Sequence, residues 1–142
     1  MKLVDANVLL YATNTSARHH ERSRRWLDGA LSGADTVAFA WPALLAFVRL
    51  STKQELFPSP LSIDQAMDRV DAWTAAAPAV IVEPTPNHAT LVRTLLAPLG
   101  VGGNLANDAH LAALAIEHRC TIVSFDNDFG RFPTVAWQPP PA

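Results

Sequence analysis

One cysteine in 142 residues, Cys120, has nothing to pair with inside the chain, so no internal disulfide can brace the fold. No Cys/His pairs stand at ligand spacing, so a structural zinc site is not expected either, and Cys120 reads as a buried thiol in a strand. No apolar run approaches the roughly 20 residues that cross a bilayer, and the N-terminus lacks the basic start, apolar stretch and small-residue cleavage site of a signal peptide. A soluble, cytoplasmic protein without membrane contact is the expectation. Positive charge is also scarce: eleven Lys/Arg against thirteen Asp/Glu leave a net charge of -2, which argues against a broad electrostatic grip on nucleic acid. The charge is uneven, however. Residues 1–53 carry seven Lys/Arg against four Asp/Glu, whereas residues 54–142 carry four against nine.

What is present is a chain 49 % hydrophobic and 17 % charged, long enough for one well-packed domain and too short for two. The expected domain spans residues 1–137, and the Pro-rich end, 138–142, is expected to be disordered. Strands and helices alternate. Lys2 to Val4 opens a strand, and Asn7 has the character of a helix N-cap before Val8 to Tyr11. Glu21 to Leu31 reads as a helix with Trp26, Leu27 and Ala30 on one face, closed by Gly33. A strand over 36–40 precedes a helix from Pro42 to about Lys53 carrying Leu44, Leu45 and Val48. Ser62 with Gln65 makes a capping box for a helix to about Ala77, its inner stripe being Ile63, Ala66, Met67, Val70 and Trp73. A strand over 79–82, a helix over 86–99, a GVGG loop, a helix capped by Asn104 or Asn107 and running to His118, and strands over 121–125 and 134–137 complete the chain. Such alternation argues a parallel sheet covered by helices on both faces, with its sites at the carboxyl ends of the strands.

That rule selects the acids. Asp5 follows the first strand and Asp126 follows the strand 121–125, so both belong to one edge. Asp108 shares a helix face with Leu111, Ala112 and Ala115, which should pack on the sheet. Asp128 reaches the same place if the turn at 126–128 folds back. Taken singly, Asp126 and Asp128 are ordinary turn residues and Asp108 is a first-turn acid serving the helix dipole. Together, with no internal Lys or Arg to meet them, they suggest a hard divalent cation, Mg2+ or Mn2+, held by oxygen ligands.

DANVLLYA at 5–12, NDAHLAALAIEH at 107–118 and TIVSFDNDFGRF at 121–132 resemble, in order and spacing, the signature stretches of PIN-domain ribonucleases, in particular the VapC toxins of bacterial toxin-antitoxin pairs. The resemblance implies a three-layer α/β/α sandwich with a mainly parallel central sheet. It also implies Mg- or Mn-dependent endonucleolytic cleavage of RNA, inhibition by a VapB-like antitoxin, and a homodimer. Asp5, Asp108 and Asp126 match the metal-binding acids and Asp128 a frequent additional member, the four together forming the expected catalytic set. Ser124 and Asn7 match polar positions that orient them. One position departs: many members carry a Glu on the helix after the second strand, and alignment on Arg49 puts Ala46 there.

The one basic cluster, Arg18, His19, His20, Arg22, Arg24 and Arg25, reads first as a solvated helix start and second as a contact for RNA phosphate or an acidic antitoxin segment. Two other functional classes stay open. A PIN fold poor in metal would act only as an RNA- or protein-binding module, which the alanine at 46 favours. An aspartyl-nucleophile phosphoryl-transfer enzyme also places an acid after strand one, but it wants a second acid where Asn7 stands.

Overall fold

The strands are two or three residues long, and most side chains in them are apolar because both faces of the sheet are covered. The computed structural model describes residues 1–55 and 57–142. Its strands are β1 (Lys2–Val4), β2 (Val37–Phe39), β3 (Ala79–Ile81), β4 (Thr121–Val123) and β5 (Trp137–Gln138). Its helices are α1 (Ala6–Thr13), α2 (His20–Leu31), α3 (Trp41–Ser51), α4 (Ile63–Ala75), α5 (His88–Leu96) and α6 (Leu105–His118).

The sheet order is β3-β2-β1-β4-β5 and every pairing is parallel. Alternation along each strand sorts the side chains into two cores. Leu3, Ala38 and Ile122 face α5 and α6, whose Leu95, Ala109, Ala112 and Ala113 are buried with them. Val4, Phe39 and Val123 face the opposite way, into Val8, Leu9, Leu27, Leu44, Phe47 and Trp73 of α1 to α4. The result is the expected three-layer α/β/α sandwich. Phe47 meets Trp73 edge-on at 4.8 Å between ring centres, which ties α3 to α4.

Local signals account for most element ends. Ser62 and Gln65 make both bonds of the capping box at the start of α4. Arg119 takes the left-handed conformation, φ 57°, at the C-cap of α6. Other expectations are corrected. The N-cap of α1 is Asp5, not Asn7, because Asn7 spends its amide on Ser124 and Phe125, just past the end of β4. Asn104 stands at the N-cap position of α6 but makes no side-chain capping bond, and Asn107 lies inside the helix. The helix expected over 86–99 is α5 followed by a 3-10 turn, Ala97–Leu99, as Pro98 requires. Ile63 is 60 % exposed because it is the first residue of α4, ahead of the buried stripe, and Leu45 is 56 % exposed because it turns away from the face that buries Leu44. At the far end Pro140 is buried, and its carbonyl accepts from Arg22 Nε at 2.6 Å.

Candidate active site

The order β3-β2-β1-β4-β5 reverses direction at β1: connections first run outward through β2 to β3, then cross to β4 and β5. In a parallel sheet the connections leaving adjacent strands at such a reversal go to opposite faces, which opens a crevice at their carboxyl ends. Asp5 follows β1 and Asp126 follows β4 by three residues, so the reversal brings both to this crevice.

Ser124 holds the two ends together. It is fully buried, and its Oγ donates to Asp5 Oδ2 at 2.7 Å while accepting from the Asp126 N–H and from Asn7 Nδ2, both at 3.0 Å. Asn7 Oδ1 in turn accepts from the Phe125 N–H at 3.2 Å, and its Nδ2 lies 3.4 Å from Asp5 Oδ2. The other Asp5 oxygen accepts from the Ala6 N–H at 2.7 Å. Burial nevertheless dominates, and with Asp126 nearby it raises the Asp5 carboxyl above its ordinary range against the lowering effect of Ser124 and Ala6.

The closest group of acids is Asp108, Asp126 and Asp128, each half-buried, with one carboxylate oxygen apiece lying within 4.8 Å of the others. Asp126 caps a 3-10 turn, Asn127–Arg131, by accepting from the Asp128 N–H at 2.9 Å, and this folds Asp128 back toward Asp108. Asp108 is pushed up to about 7, first by burial and then by Asp126, Asp5 and Asp128. The expected metal set was Asp5, Asp108 and Asp126. The structure draws Asp128 into the tight group and ties Asp5 to Ser124 beside it. Three or four converging carboxylates, all oxygen donors, fit a hard divalent cation in both chemistry and spacing.

The acids are not wholly without cations. Arg131 Nε approaches Asp128 Oδ1 at 3.4 Å, an exposed pair. Arg49 on α3 lines the same cavity of about 430 Å³ as Asp5 and Asp108. Ala46 lines it too, so α3 does turn that position toward the acids. His110, to which no motif in the sequence assigns a role, also lines this wall. His110 Nδ1 lies 2.9 Å from His88 Nε2, and His88 Nδ1 pairs with Glu117 Oε1. Burial and then His88 lower the His110 imidazole. Burial alone would raise Glu117, but the Thr85 N–H and His88 outweigh it and hold the carboxyl below its usual range. Glu117 and His110 were legible only as polar positions on a largely apolar helix.

Two of the four arginines of the basic cluster, Arg22 and Arg24, have partners within the chain, while Arg18 and Arg25 have none among the described residues. Arg24 bridges Glu21 at 2.9 Å and Asp28 at 3.2 Å, while Arg22 lies 5.3 Å from the Phe125 ring centre as well as bonding Pro140. Phe125 is also stacked on His19 at 4.4 Å. Among the described residues no helix is long and apolar enough to cross a membrane.

A doubly covered parallel sheet with carboxylates converging at its switch point defines an acidic-site α/β domain. Comparison with known proteins makes this specific: the PIN domain family model matches residues 2–135, and the chain belongs to that family. It is 62 % identical over 142 residues to Ribonuclease VapC37 of Mycobacterium tuberculosis, covering 100 % of this chain and 99 % of that protein. Ribonuclease VapC31 of the same species is 38 % identical over 143 residues, covering 99 % of each. Among solved structures, VapBC2 from Rickettsia felis bound to a promoter DNA fragment superposes with a TM-score of 0.70 at 20 % identity, covering 97 % of each chain, which shows the shared fold.

Proposed function

We propose that this chain is a VapC-type toxin, an endoribonuclease whose activity depends on Mg2+ or Mn2+ and is silenced by a VapB-like antitoxin. The observation that carries the reading is the convergence of Asp108, Asp126 and Asp128 beside Asp5 at the switch point, in a chain 62 % identical along its whole length to a ribonuclease. A divalent cation held there would lower the pKa of a water and stabilise charge on the scissile phosphate. Asp108, Asp126 and Asp128 would hold it, with Asp5 completing the set. Ser124 and Asn7 keep Asp5 and Asp126 at a fixed separation, and Arg49 supplies positive charge for a phosphate arriving over the cavity. No side chain need act as a covalent nucleophile. Homodimerisation, as in the family resemblance, belongs to the same reading, and so does a single domain, its end lying beyond the expected residue 137 because β5 includes Gln138 and Pro140 is buried.

The test is cleavage of total cellular RNA by the purified chain with Mg2+, with EDTA, and with the Asp126→Asn variant. Cleavage only in the first case supports the reading; cleavage that persists in EDTA or in Asp126→Asn removes it. Growth arrest on expression, relieved by co-expressing the neighbouring antitoxin, tests the toxin half. One observation favours a binding-only module: Ala46 gives the cavity wall no carboxylate. RNA binding without Mg2+-dependent cleavage would select that alternative.

A further inference from the structure

If a water activated by the acids attacks the phosphodiester, the chemistry makes no use of the ribose 2′-hydroxyl, and DNA would serve as well as RNA. Something else must read the sugar. The wall of the acidic cavity carries two polar side chains that the cleavage chemistry does not use, Asn107 and His110, and of these His110 is the one held in place by other side chains. It does not stand alone: His110 Nδ1 is 2.9 Å from His88 Nε2, His88 Nδ1 pairs with Glu117 Oε1, and Glu117 Oε2 accepts from the Thr85 N–H at 2.7 Å. The Glu117 side chain is 2 % exposed, so its end of the chain is anchored in the protein. Every nitrogen and oxygen along the line has a partner except His110 Nε2, which has none among the described residues.

The carboxylate dictates the direction of the bonds. Glu117 only accepts, so His88 Nδ1 donates to it. With His88 neutral, its Nε2 accepts from His110 Nδ1–H and His110 Nε2 is left with a lone pair. With His88 charged, the second bond reverses and His110 Nε2 carries a hydrogen. A phosphate oxygen can meet only the second form. A 2′-hydroxyl, being donor and acceptor, meets either.

We propose that His110 is the residue that recognises the ribose 2′-hydroxyl of the substrate, and that His88 and Glu117 are positioning residues that fix its ring. The proposal rests on the ribonuclease reading of the acidic site. It is tested by the binding of a short synthetic single-stranded RNA and of its fully 2′-deoxy counterpart, both in EDTA, so that a failure of cleavage does not hide the result. The native chain should prefer RNA roughly fivefold, the size of one net hydrogen bond. His110→Ala should bring that ratio close to one, His88→Ala should lower it part of the way, and the double variant should resemble His110→Ala. His88→Gln, which keeps one donor and one acceptor, should recover part of the preference. A merely structural triad would lower thermal stability and leave the RNA-to-deoxy ratio intact. That outcome in a folded His110→Ala, or no preference in the native chain, overturns the proposal. Loss of Mg2+-dependent cleavage with the ratio preserved would instead count against the nuclease reading alone.

Discussion

Ser124 carries more of the site than its size suggests. Its buried hydroxyl makes three hydrogen bonds that join the residue after β1 to the residues after β4. In Ser124→Ala the Asp126 N–H and Asn7 Nδ2 lose an acceptor and Asp5 loses a donor, each in a half-buried setting. A loss of about 1–3 kcal/mol is expected, read by urea unfolding, together with a fall in Mg2+-dependent cleavage larger than the stability change explains. Cleavage at the native rate in that variant would show that the acids do not need the clamp. Asp5→Asn, by contrast, removes a charge that burial already penalises, so it should fold at least as well while abolishing cleavage. Asp108 gives the pH dependence. An acid whose carboxyl is raised to about 7 in the folded chain, against about 4 unfolded, binds its proton more tightly when folded. Asp108's contribution to stability is therefore fully present below about pH 4 and is lost as pH rises through about 7. Mg2+ relieves the same repulsion. The rise in Tm on adding Mg2+ should thus be greater at pH 8 than at pH 6, and an equal rise at both would place the cation away from Asp108.

At the scale of elements, α3 is the informative one. Its Leu44 and Phe47 are buried in the core, while Ala46 and Arg49 line the acidic cavity with Asp5 and Asp108. Ala46→Glu adds a carboxylate to that wall. Without metal it should lower Tm through like-charge repulsion, and it should reduce the Mg2+ concentration that half-saturates the Tm shift. If the half-saturating concentration does not move, the wall position is outside the ion's reach. This helix also shows what could be read beforehand. Its apolar face, the capping box of α4 and the alternation of β1, β2 and β4 into two cores follow from local periodicity, and the acids at 5, 108, 126 and 128 followed from strand ends and motif order. Two features did not. The exchange of Asn7 from cap to cross-strand bridge depends on where β4 ends, and the line from Glu117 to His110 joins α6 to His88 on α5. Each is a contact between segments distant in sequence, where spacing along one helix or strand carries no information.

For the molecule as a whole, a net charge of -2 means that any attraction to RNA is local. The two candidate sources differ in how free their charge is. Arg24 in the basic helix start is already neutralised by Glu21 and Asp28, and Arg22 is engaged with Pro140 and Phe125. Arg49 is exposed on the cavity wall beside the acids that would hold the cation. Each phosphate contact made to a single strand steepens the dependence of log K on log salt by about 0.7. Arg49→Ala should therefore weaken RNA binding in metal-free buffer and flatten that slope by about 0.7–1, whereas Arg24→Ala should change neither. Fluorescence anisotropy of a labelled RNA across a salt series separates the two. A slope flattened by Arg24→Ala but untouched by Arg49→Ala would move the RNA path off the cavity and onto α2, because a charge already paired within the protein releases no counterion unless RNA displaces its partners.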